Sequence, residues 1–246
     1  MSDSEIYGSD PYDINFNFPL HSESLESERV RLTPFIPSVH GQLYWDNVSA
    51  HHDELFRHYP ITHGSLAEFL AYVEKYYRRN PEFVMFAIID KTRCDDAHPV
   101  LGGGSMAGVI ALLRTSPTEL VTEIGYVLVF QAFQRTHVAA NAVGILMRYC
   151  LELPSASPPG LGLRRVQWVA SPNNQGSIRL AQKMGFKSEG LMKWTRVLPQ
   201  GVVDTRPCRE GDPYFPRGGM DGFLMTVCWD DWESGERETV KRMINR

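Results

Sequence analysis

Six consecutive residues have the types and the setting of a phosphate-binding loop. They form the run QRTHVA, between an apolar run that ends at Phe130 and a long helical pattern. The first turn of a helix presents N–H groups without backbone partners and the positive end of the helix dipole, which together attract a pyrophosphate. Arg135 would add charge and Thr136 is the predicted N-cap, although an ordinary helix start is the simpler interpretation of these residues alone. The candidate phosphate-binding residues are Gln134, Arg135, Thr136, His137, Val138 and Ala139.

One carboxylate interrupts the apolar run before that loop. Glu123 stands in TEIGYVLVF, where its neighbours are mostly apolar. Burying a carboxylate without a partner is costly. Glu123 is therefore either a structural residue, paired with an arginine or with the backbone, or a group that accepts a proton during a reaction. The sequence leaves both alternatives open.

The chain that must position these residues alternates strand-like and helix-like patterns. Apolar residues recur with period two in the strands and with the helical period in the helices. This order predicts a three-layer α/β/α sandwich with a mixed, mostly antiparallel sheet. The predicted strands cover residues 28–35, 83–89, 106–113, 119–130, 165–170, 186–197 and 222–229, and the predicted helices cover 38–48, 65–79, 136–153 and 177–184. The long helix carries an apolar stripe of Val138, Ala142, Ile145, Leu146 and Tyr149.

A second segment, residues 171–190, carries a more specific pattern, SPNNQGSIRLAQKMGFKSEG. Together with residues 122–142, it resembles the two cofactor segments of the GNAT N-acetyltransferase superfamily, in particular the ribosomal-protein alanine acetyltransferase branch. The resemblance extends over residues 26–232. It implies a GNAT fold and an acyl-CoA-dependent N-acetyltransferase that uses acetyl-CoA and transfers directly to a primary amine of a small molecule or a protein N-terminus. The matching residues of the second segment are Asn174, Ser177, Lys183, Gly185 and Phe186.

For the reaction, the resemblance implies a base and a strand that stabilises negative charge. Glu123 would take the proton of the acceptor ammonium through a water molecule, since the amine must be neutral before it attacks a thioester. Backbone amides of the following strand would polarise the thioester carbonyl and hold the pantetheine arm, a role that needs no particular side chain. Those amides belong to Val127, Leu128 and Val129.

The second segment is implied to flank coenzyme A. Asn174 would contact the pantetheine arm, and Ser177 and Lys183 would lie on the helix beside it; Asn174 is also a simple helix cap. Many family members carry on this helix a tyrosine that protonates the leaving thiolate, but Ala181 occupies the matching position here. The leaving thiolate would therefore be protonated by water, Tyr126 or Ser177.

The phosphate loop departs from the family pattern. GNAT proteins usually carry Gln/Arg-x-x-Gly-x-Gly/Ala here, whereas this chain has Phe133, Thr136 and Val138 at the three specified positions. Side chains at the glycine positions limit how closely the backbone approaches phosphate oxygens, and the β-branched Val138 is the larger departure. Either the pyrophosphate binds in a slightly displaced position or the site has decayed. We expect that binding is retained.

Aromatic and cationic residues outside these segments are candidates for an acceptor pocket. Their mixture would suit an amine with an apolar or acidic neighbour, and a role as ordinary surface residues is an equal interpretation. His51 and His52 have no partner at metal-ligand spacing, so we predict no metal site. The predicted substrate-binding residues are Tyr44, Trp45 and Tyr214, accompanied by His51, His52 and Tyr59 near the first helices and by Arg206, Arg209 and Phe215 in a long late loop.

Length and composition set the remaining expectations. We expect a tail or strap at residues 1–25, the acyltransferase domain at 26–235 with a long loop at 198–221, and a helix or tail at 236–246. The net charge of −4 argues against broad nucleic-acid binding. No run approaches the roughly 20 apolar residues that span a membrane, and the acidic start is unlike a signal peptide.

These expectations describe a cytoplasmic, or also nuclear, protein that is a monomer or a homodimer. Its four cysteines are scattered and expected to be unpaired thiols. Its partners would be a coenzyme A thioester and an amine, with no membrane. Two alternatives are kept: a non-catalytic acyl-CoA-binding or interaction module with a GNAT fold, and a purely structural α/β protein.

Overall fold

Strands and helices alternate through the part of the chain that the computed structural model describes, residues 6–200, 202 and 206–245. Each predicted strand and helix is confirmed, with shifts of up to three residues at the ends. The predicted helix over 65–79 is α-helical only to Val73 and continues as a π-helix over Glu74–Arg78. The strands are β1 (Val30–Pro34), β2 (Val84–Asp90), β3 (Ser105–Ser116), β4 (Val121–Val129), β5 (Arg165–Ala170), β6 (Lys187–Val197) and β7 (Gly219–Cys228). The α-helices are α1 (Pro37–Ser49), α2 (His52–Phe56), α3 (Leu66–Val73), α4 (Val138–Leu151), α5 (Gln175–Lys183), α6 (Trp229–Asp231) and α7 (Arg237–Ile244).

The strands form one seven-stranded sheet in the order β1-β2-β3-β4-β5-β7-β6. All neighbouring pairs are antiparallel except β4 and β5, which are parallel. The predicted mixed, mostly antiparallel sheet is therefore confirmed. All seven residues of β2 are buried, so both faces of the sheet are covered at this strand.

The pairing between β4 and β5 stops early. It covers three residue pairs and ends where Glu123 lies opposite Gln167. Beyond that point β4 continues beside β3 to Val129, while β5 continues beside β7 to Ala170. The two strands therefore diverge and leave a V-shaped gap in the middle of the sheet.

A β-bulge in β4 lies beside this gap. The register with β3 changes between the pair Ala111–Gly125 and the pair Val109–Leu128, so two residues of β4 oppose one residue of β3. Tyr126 occupies the bulge with φ of 48°. Gly108 of β3 pairs with Val129 beyond the bulge, and a Cβ on Gly108 would lie 2.1 Å from the Leu128 carbonyl oxygen, so this close approach of the two strands requires glycine.

The core beneath the sheet follows the predicted helical stripe. Each of Val138, Ala142, Ile145, Leu146 and Tyr149 on α4 is fully buried. The C-terminal helix α7 packs on the outer side of α4, where a Cβ on Gly144 would meet Ile244 at 2.7 Å. On another side of the sheet, Tyr44 of α1 stacks on Phe69 of α3, with ring centroids 3.8 Å apart.

Residues 6–25 run over the surface and bond to the rest of the chain. The Asn17 N–H donates to the Pro81 carbonyl at 2.8 Å, and the Asn15 side chain donates to the Arg78 carbonyl. The first five residues of the expected tail or strap lie outside the described residues, as do 201 and 203–205 of the expected long loop. Among the helices of the described residues, we find none with the length and apolar character needed to span a bilayer.

Candidate active site

A cavity of about 1100 Å³ opens where β4 and β5 separate. The residues of β4 from Glu123 to Val129 form its floor, and the start of α5 and residues 54–63 form walls. We call one end the loop end, defined by Val129, Gln134 and Ala139. We call the other the arginine end, defined by Glu123, Arg114, Arg196 and Arg217.

The predicted phosphate loop lies at the loop end, before α4. Gln134 and Ala139 line the cavity, whereas Arg135, Thr136, His137 and Val138 do not. His137, not Thr136, is the residue that precedes the helix. The prediction of Thr136 as the N-cap is therefore wrong by one residue, although its hydroxyl accepts from the Val138 N–H at 3.3 Å.

The two positions that lack the family's glycines do not have the backbone conformation that favours glycine. Thr136 and Val138 both have negative φ, and the left-handed residue of the loop is Arg135, with φ of 59°. Val138 is 0% exposed and its side chain lies in the core. Its branched side chain therefore does not narrow the cavity.

His137 turns away from the cavity and is held by a buried carboxylate. Its Nε2 lies 3.2 Å from the Asp90 Oδ1, and Asp90 also accepts from the N–H and the hydroxyl of Thr92. Burial lowers the pKa of His137, and the charge of Asp90 opposes that shift. His137 therefore braces the loop against the end of β2.

Two residues of the second motif line the cavity from α5. The Asn174 Oδ1 accepts from the Ser177 N–H at 3.0 Å, so Asn174 is the N-cap of the helix as well as a lining residue. The Ser177 hydroxyl accepts from the Trp168 indole N–H at 2.9 Å. Lys183, in the last turn, does not line the cavity, and Ala181 is fully buried.

The backbone of β4 turns polar groups into the gap. The Phe130 N–H donates to the Ala107 carbonyl, which fixes that amide on the β3 side. Because successive residues of a strand alternate in direction, Leu128 shares that side, whereas Val127 and Val129 face the gap left by β5. The Val127 carbonyl accepts from the Tyr59 hydroxyl at 2.7 Å, which fixes this segment of strand.

Glu123 lies at the point where the two strands separate. It is 4% exposed, lines the cavity and forms an ion pair with Arg114. Burial raises the pKa of Glu123 above its ordinary value, and the charges of Arg114 and Arg196 oppose that shift. The site therefore holds a buried carboxylate with a raised pKa beside cations.

Tyr126 reaches the cavity from the bulge. Its hydroxyl oxygen lies 3.2 Å from that of Tyr44, and burial raises the pKa of Tyr126 well above its ordinary value. Tyr44 is fully buried and Trp45 is half-buried, and neither lines the cavity. Tyr214 is exposed on the late loop and does not line it either.

Sequence reasoning missed the three arginines of the arginine end. Arg114 could have been found, because a hairpin between β3 and β4 sets Leu113 opposite Glu123 and brings the next residue close to the carboxylate. Arg196 and Arg217 come from β6 and the loop before β7, far away in sequence. No local pattern connects them to Glu123.

Three side chains that could bind a metal lie outside this cavity. Cys228, Asp230 and Asp231 place their potential ligand atoms within 4.8 Å of one another. The Asp231 carboxylate already accepts from the Cys228 N–H at 3.0 Å and pairs with Lys187. We assign this cluster no part in the chemistry of the cavity.

Comparison with known proteins matches this chain to one family model and to solved structures of the same fold. The family model described as an acetyltransferase (GNAT) domain matches residues 29–187. A GCN5-related N-acetyltransferase from Brucella melitensis superposes with a TM-score of 0.68 and 24% identity, over 89% of this chain and 84% of that one. No curated protein matches the sequence at a significant level.

Two other similar structures are ribosomal-protein acetyltransferases. An acetyltransferase from Salmonella typhimurium that modifies the N-terminal serine of the 50S subunit protein L7/L12 has a TM-score of 0.60 and 18% identity, over 82% of this chain and 96% of that one. RimL, an L7/L12 α-N-protein acetyltransferase solved with coenzyme A, has a TM-score of 0.61 and 18% identity, over 83% of this chain and 97% of that one. At these identities the similarity establishes the fold alone.

Proposed function

This chain belongs to the GNAT acetyltransferase family, and from that premise we propose that it transfers an acetyl group from acetyl-CoA directly to a primary amine. The observation that carries the proposal is the divergence of β4 and β5, because one cavity then contacts Glu123, the inward-facing backbone of β4 and the capped start of α5. The acceptor is a small-molecule amine or a protein N-terminus.

The loop end suits coenzyme A. We propose that the pyrophosphate binds at residues 134–139, where the first turn of α4 has N–H groups without helical partners and Arg135 adds charge. The pantetheine arm then follows β4, where Val127 and Val129 turn N–H groups into the gap. Asn174, already fixed as the cap of α5, reaches the arm with its amide nitrogen.

Glu123 is the proposed base. It accepts a proton from the acceptor ammonium through a water molecule, and the neutral amine then attacks the thioester carbonyl carbon. A raised pKa suits this role, because a base with a pKa closer to neutrality binds the proton more effectively. As the carbon–nitrogen bond forms, the N–H groups of β4 stabilise the negative charge on the carbonyl oxygen. That charge is lost when the carbon–sulfur bond breaks, and the nitrogen gives up its second proton as the thiolate leaves.

The leaving thiolate takes a proton from a hydroxyl of the cavity or from water. Tyr126 keeps its proton because burial raises its pKa. The Ser177 oxygen accepts from Trp168, which leaves the Ser177 hydroxyl proton free to point toward the cavity. Comparing Tyr126→Phe with Ser177→Ala distinguishes the two, since only the loss of the true donor lowers kcat.

The test is thiol release from acetyl-CoA with a panel of primary amines, with products identified by mass spectrometry. We expect release that depends on the amine and collapses in Glu123→Gln, while acetyl-CoA still binds by calorimetry. Acetyl-CoA binding without thiol release, and without any effect of Glu123→Gln, would contradict the proposal.

That negative result would support a non-catalytic acyl-CoA-binding module instead. Two observations favour this second candidate: Arg114 already engages Glu123, and Ala181 stands where many family members carry a tyrosine. A purely structural role predicts no thermal shift with acetyl-CoA at all. The three outcomes are therefore distinct.

A further inference from the structure

The arginine end of the cavity carries more positive than negative charge. Its charged residues are one carboxylate, Glu123, and three guanidinium groups, those of Arg114, Arg196 and Arg217. Arg114 forms an ion pair with Glu123, so these two charges largely offset each other. Two arginines remain to be accounted for.

Neither Arg196 nor Arg217 forms an ion pair with a carboxylate of the described residues. Arg196 is exposed on β6, and its guanidinium forms no hydrogen bond or ion pair with the described residues; its charge acts on Glu123 and on Tyr72 across the cavity. Arg217 donates its Nε–H to the Leu198 carbonyl at 2.8 Å and lies over the ring of Tyr214. Both arginines therefore keep charge available for a ligand.

The phosphates of coenzyme A do not need these arginines. Glu123 and Val129 are six residues apart on β4, a distance of up to about 20 Å at the rise of a strand. The phosphate loop lies beyond Val129, whereas the charges of Arg114 and Arg196 act on Glu123, so the arginine end lies away from the proposed pyrophosphate site. A ligand bound there is the acceptor.

We propose that the acceptor is an amine that carries an anionic group, a carboxylate or a phosphate, close to its amino group. This inference rests on the proposed function and names its substrate class. Arg196 and Arg217 bind the anion through charge-assisted hydrogen bonds, and Glu123 faces the amino group. A polyamine would meet repulsion from the same arginines. A free amino acid and an acidic peptide N-terminus share this chemistry.

The test compares acceptors that differ in one charge. Ala-Glu, Ala-Gln and Ala-Lys peptides with amidated C-termini examine the peptide source, and alanine against alaninamide examines the free amino acid. We expect kcat/KM for the anionic member of one series to exceed that of its neutral partner by about 10- to 100-fold. The preferred series identifies the source of the anion.

Variants connect that preference to the arginines. Arg196→Gln and Arg217→Gln should each reduce the ratio of anionic to neutral acceptor about tenfold, without changing the dissociation constant of coenzyme A. Lys193→Gln is the matched control, since Lys193 is an exposed cation of the same strand that does not line the cavity. It should leave the ratio unchanged.

Equal or faster turnover of the neutral acceptors, or a ratio that survives both arginine substitutions, would overturn the inference. If no amine is acetylated, the proposed function fails, and the inference is then tested by calorimetry on the chain loaded with coenzyme A. Anionic amines that bind about tenfold more tightly than neutral ones, with the difference lost in Arg196→Gln, support it. Equal binding of anionic and neutral amines refutes it.

Discussion

The two ends of the cavity offer a ligand different kinds of groups. At the loop end, the groups offered to a ligand belong mainly to the backbone: the gap-facing amides of β4 and the start of α4. At the arginine end they are side chains, contributed by β3, β4, β6 and the loop before β7. The first end should tolerate changes of residue type, whereas the second should not.

Val138 and Arg196 illustrate the difference. The family's glycine at the position of Val138 is replaced, yet the valine side chain is buried in the core and leaves the cavity open. Arg196 cannot be replaced in the same way, because it acts on the site through the charge of its side chain. A motif mismatch at a backbone-built site therefore says less about binding than one at a site built from side chains.

The largest expected effect is at Glu123. Glu123→Gln keeps the shape of the side chain but cannot accept a proton, so kcat should fall about 10²- to 10⁴-fold, with little change in the coenzyme A dissociation constant. Steady-state kinetics and calorimetry measure the two quantities. Glu119→Gln removes an equal charge from an exposed turn and should be neutral. If Glu123→Gln retains the wild-type kcat, the arginine end does tolerate a change of residue type, and the stated difference between the two ends is wrong.

Val138→Gly tests whether the loop end needs a glycine. Because Val138 is fully buried, the substitution should lower the free energy of unfolding by about 2–4 kcal/mol through a cavity and a poorer helix start. It should not tighten the binding of coenzyme A. Urea unfolding and calorimetry provide both readouts, and Val100→Gly, at an exposed valine, is the control. Tighter binding in Val138→Gly would show that the valine does obstruct the phosphates.

The pH dependence of kcat/KM should report Glu123. The base must be deprotonated, so activity should fall about tenfold per pH unit below the pKa of Glu123, at an inflection above the ordinary glutamate value. Arg196→Gln removes a cation that lowers this pKa, so the inflection should move to higher pH. A profile without this limb, or one unchanged in Arg196→Gln, would count against Glu123 as the base.

Asn174 caps α5 and has a proposed role in binding coenzyme A, and two substitutions separate the two roles. Asn174→Ala should lose the cap of α5, at a cost of about 1 kcal/mol of unfolding free energy, and should also weaken coenzyme A binding. Asn174→Asp retains a capping oxygen and should keep the stability while binding less well. If both variants bind coenzyme A with the same affinity as the wild type, Asn174 is a helix cap without a role in binding.

The smallest expected effect is at Arg135. Its left-handed backbone favours glycine, so Arg135→Gly should raise the free energy of unfolding by up to about 1 kcal/mol. Thr136→Gly should instead lower it, because the loop loses the Thr136 hydroxyl that donates to the Phe133 carbonyl at 2.6 Å. Thermal unfolding of the two variants gives the sign of each change in unfolding free energy. If Thr136→Gly is stabilising and Arg135→Gly is destabilising, the position that favours glycine is Thr136 and not Arg135.

The sequence by itself determined the elements and the two segments that resemble those of the GNAT family. Strand and helix periods depend on neighbouring residues, and the apolar stripe of α4 and the cap at Asn174 are local patterns of this kind. Membership of the GNAT family was readable for the same reason, because its second motif lies within residues 171–190. The expected N-cap at Thr136 was off by one residue, since helix ends depend on the packing around them.

Only the tertiary structure decided which side chains meet at the cavity. The β-bulge at Tyr126, the burial of Val138 and the separation of β4 from β5 follow from strand register and from packing between distant segments. Tyr44, Trp45 and Tyr214 were reasonable candidates by type, yet none of them lines the cavity, while Arg196 and Arg217 do. Residue type gives the chemistry that a side chain can perform, but its direction is fixed by contacts with residues far away in the chain.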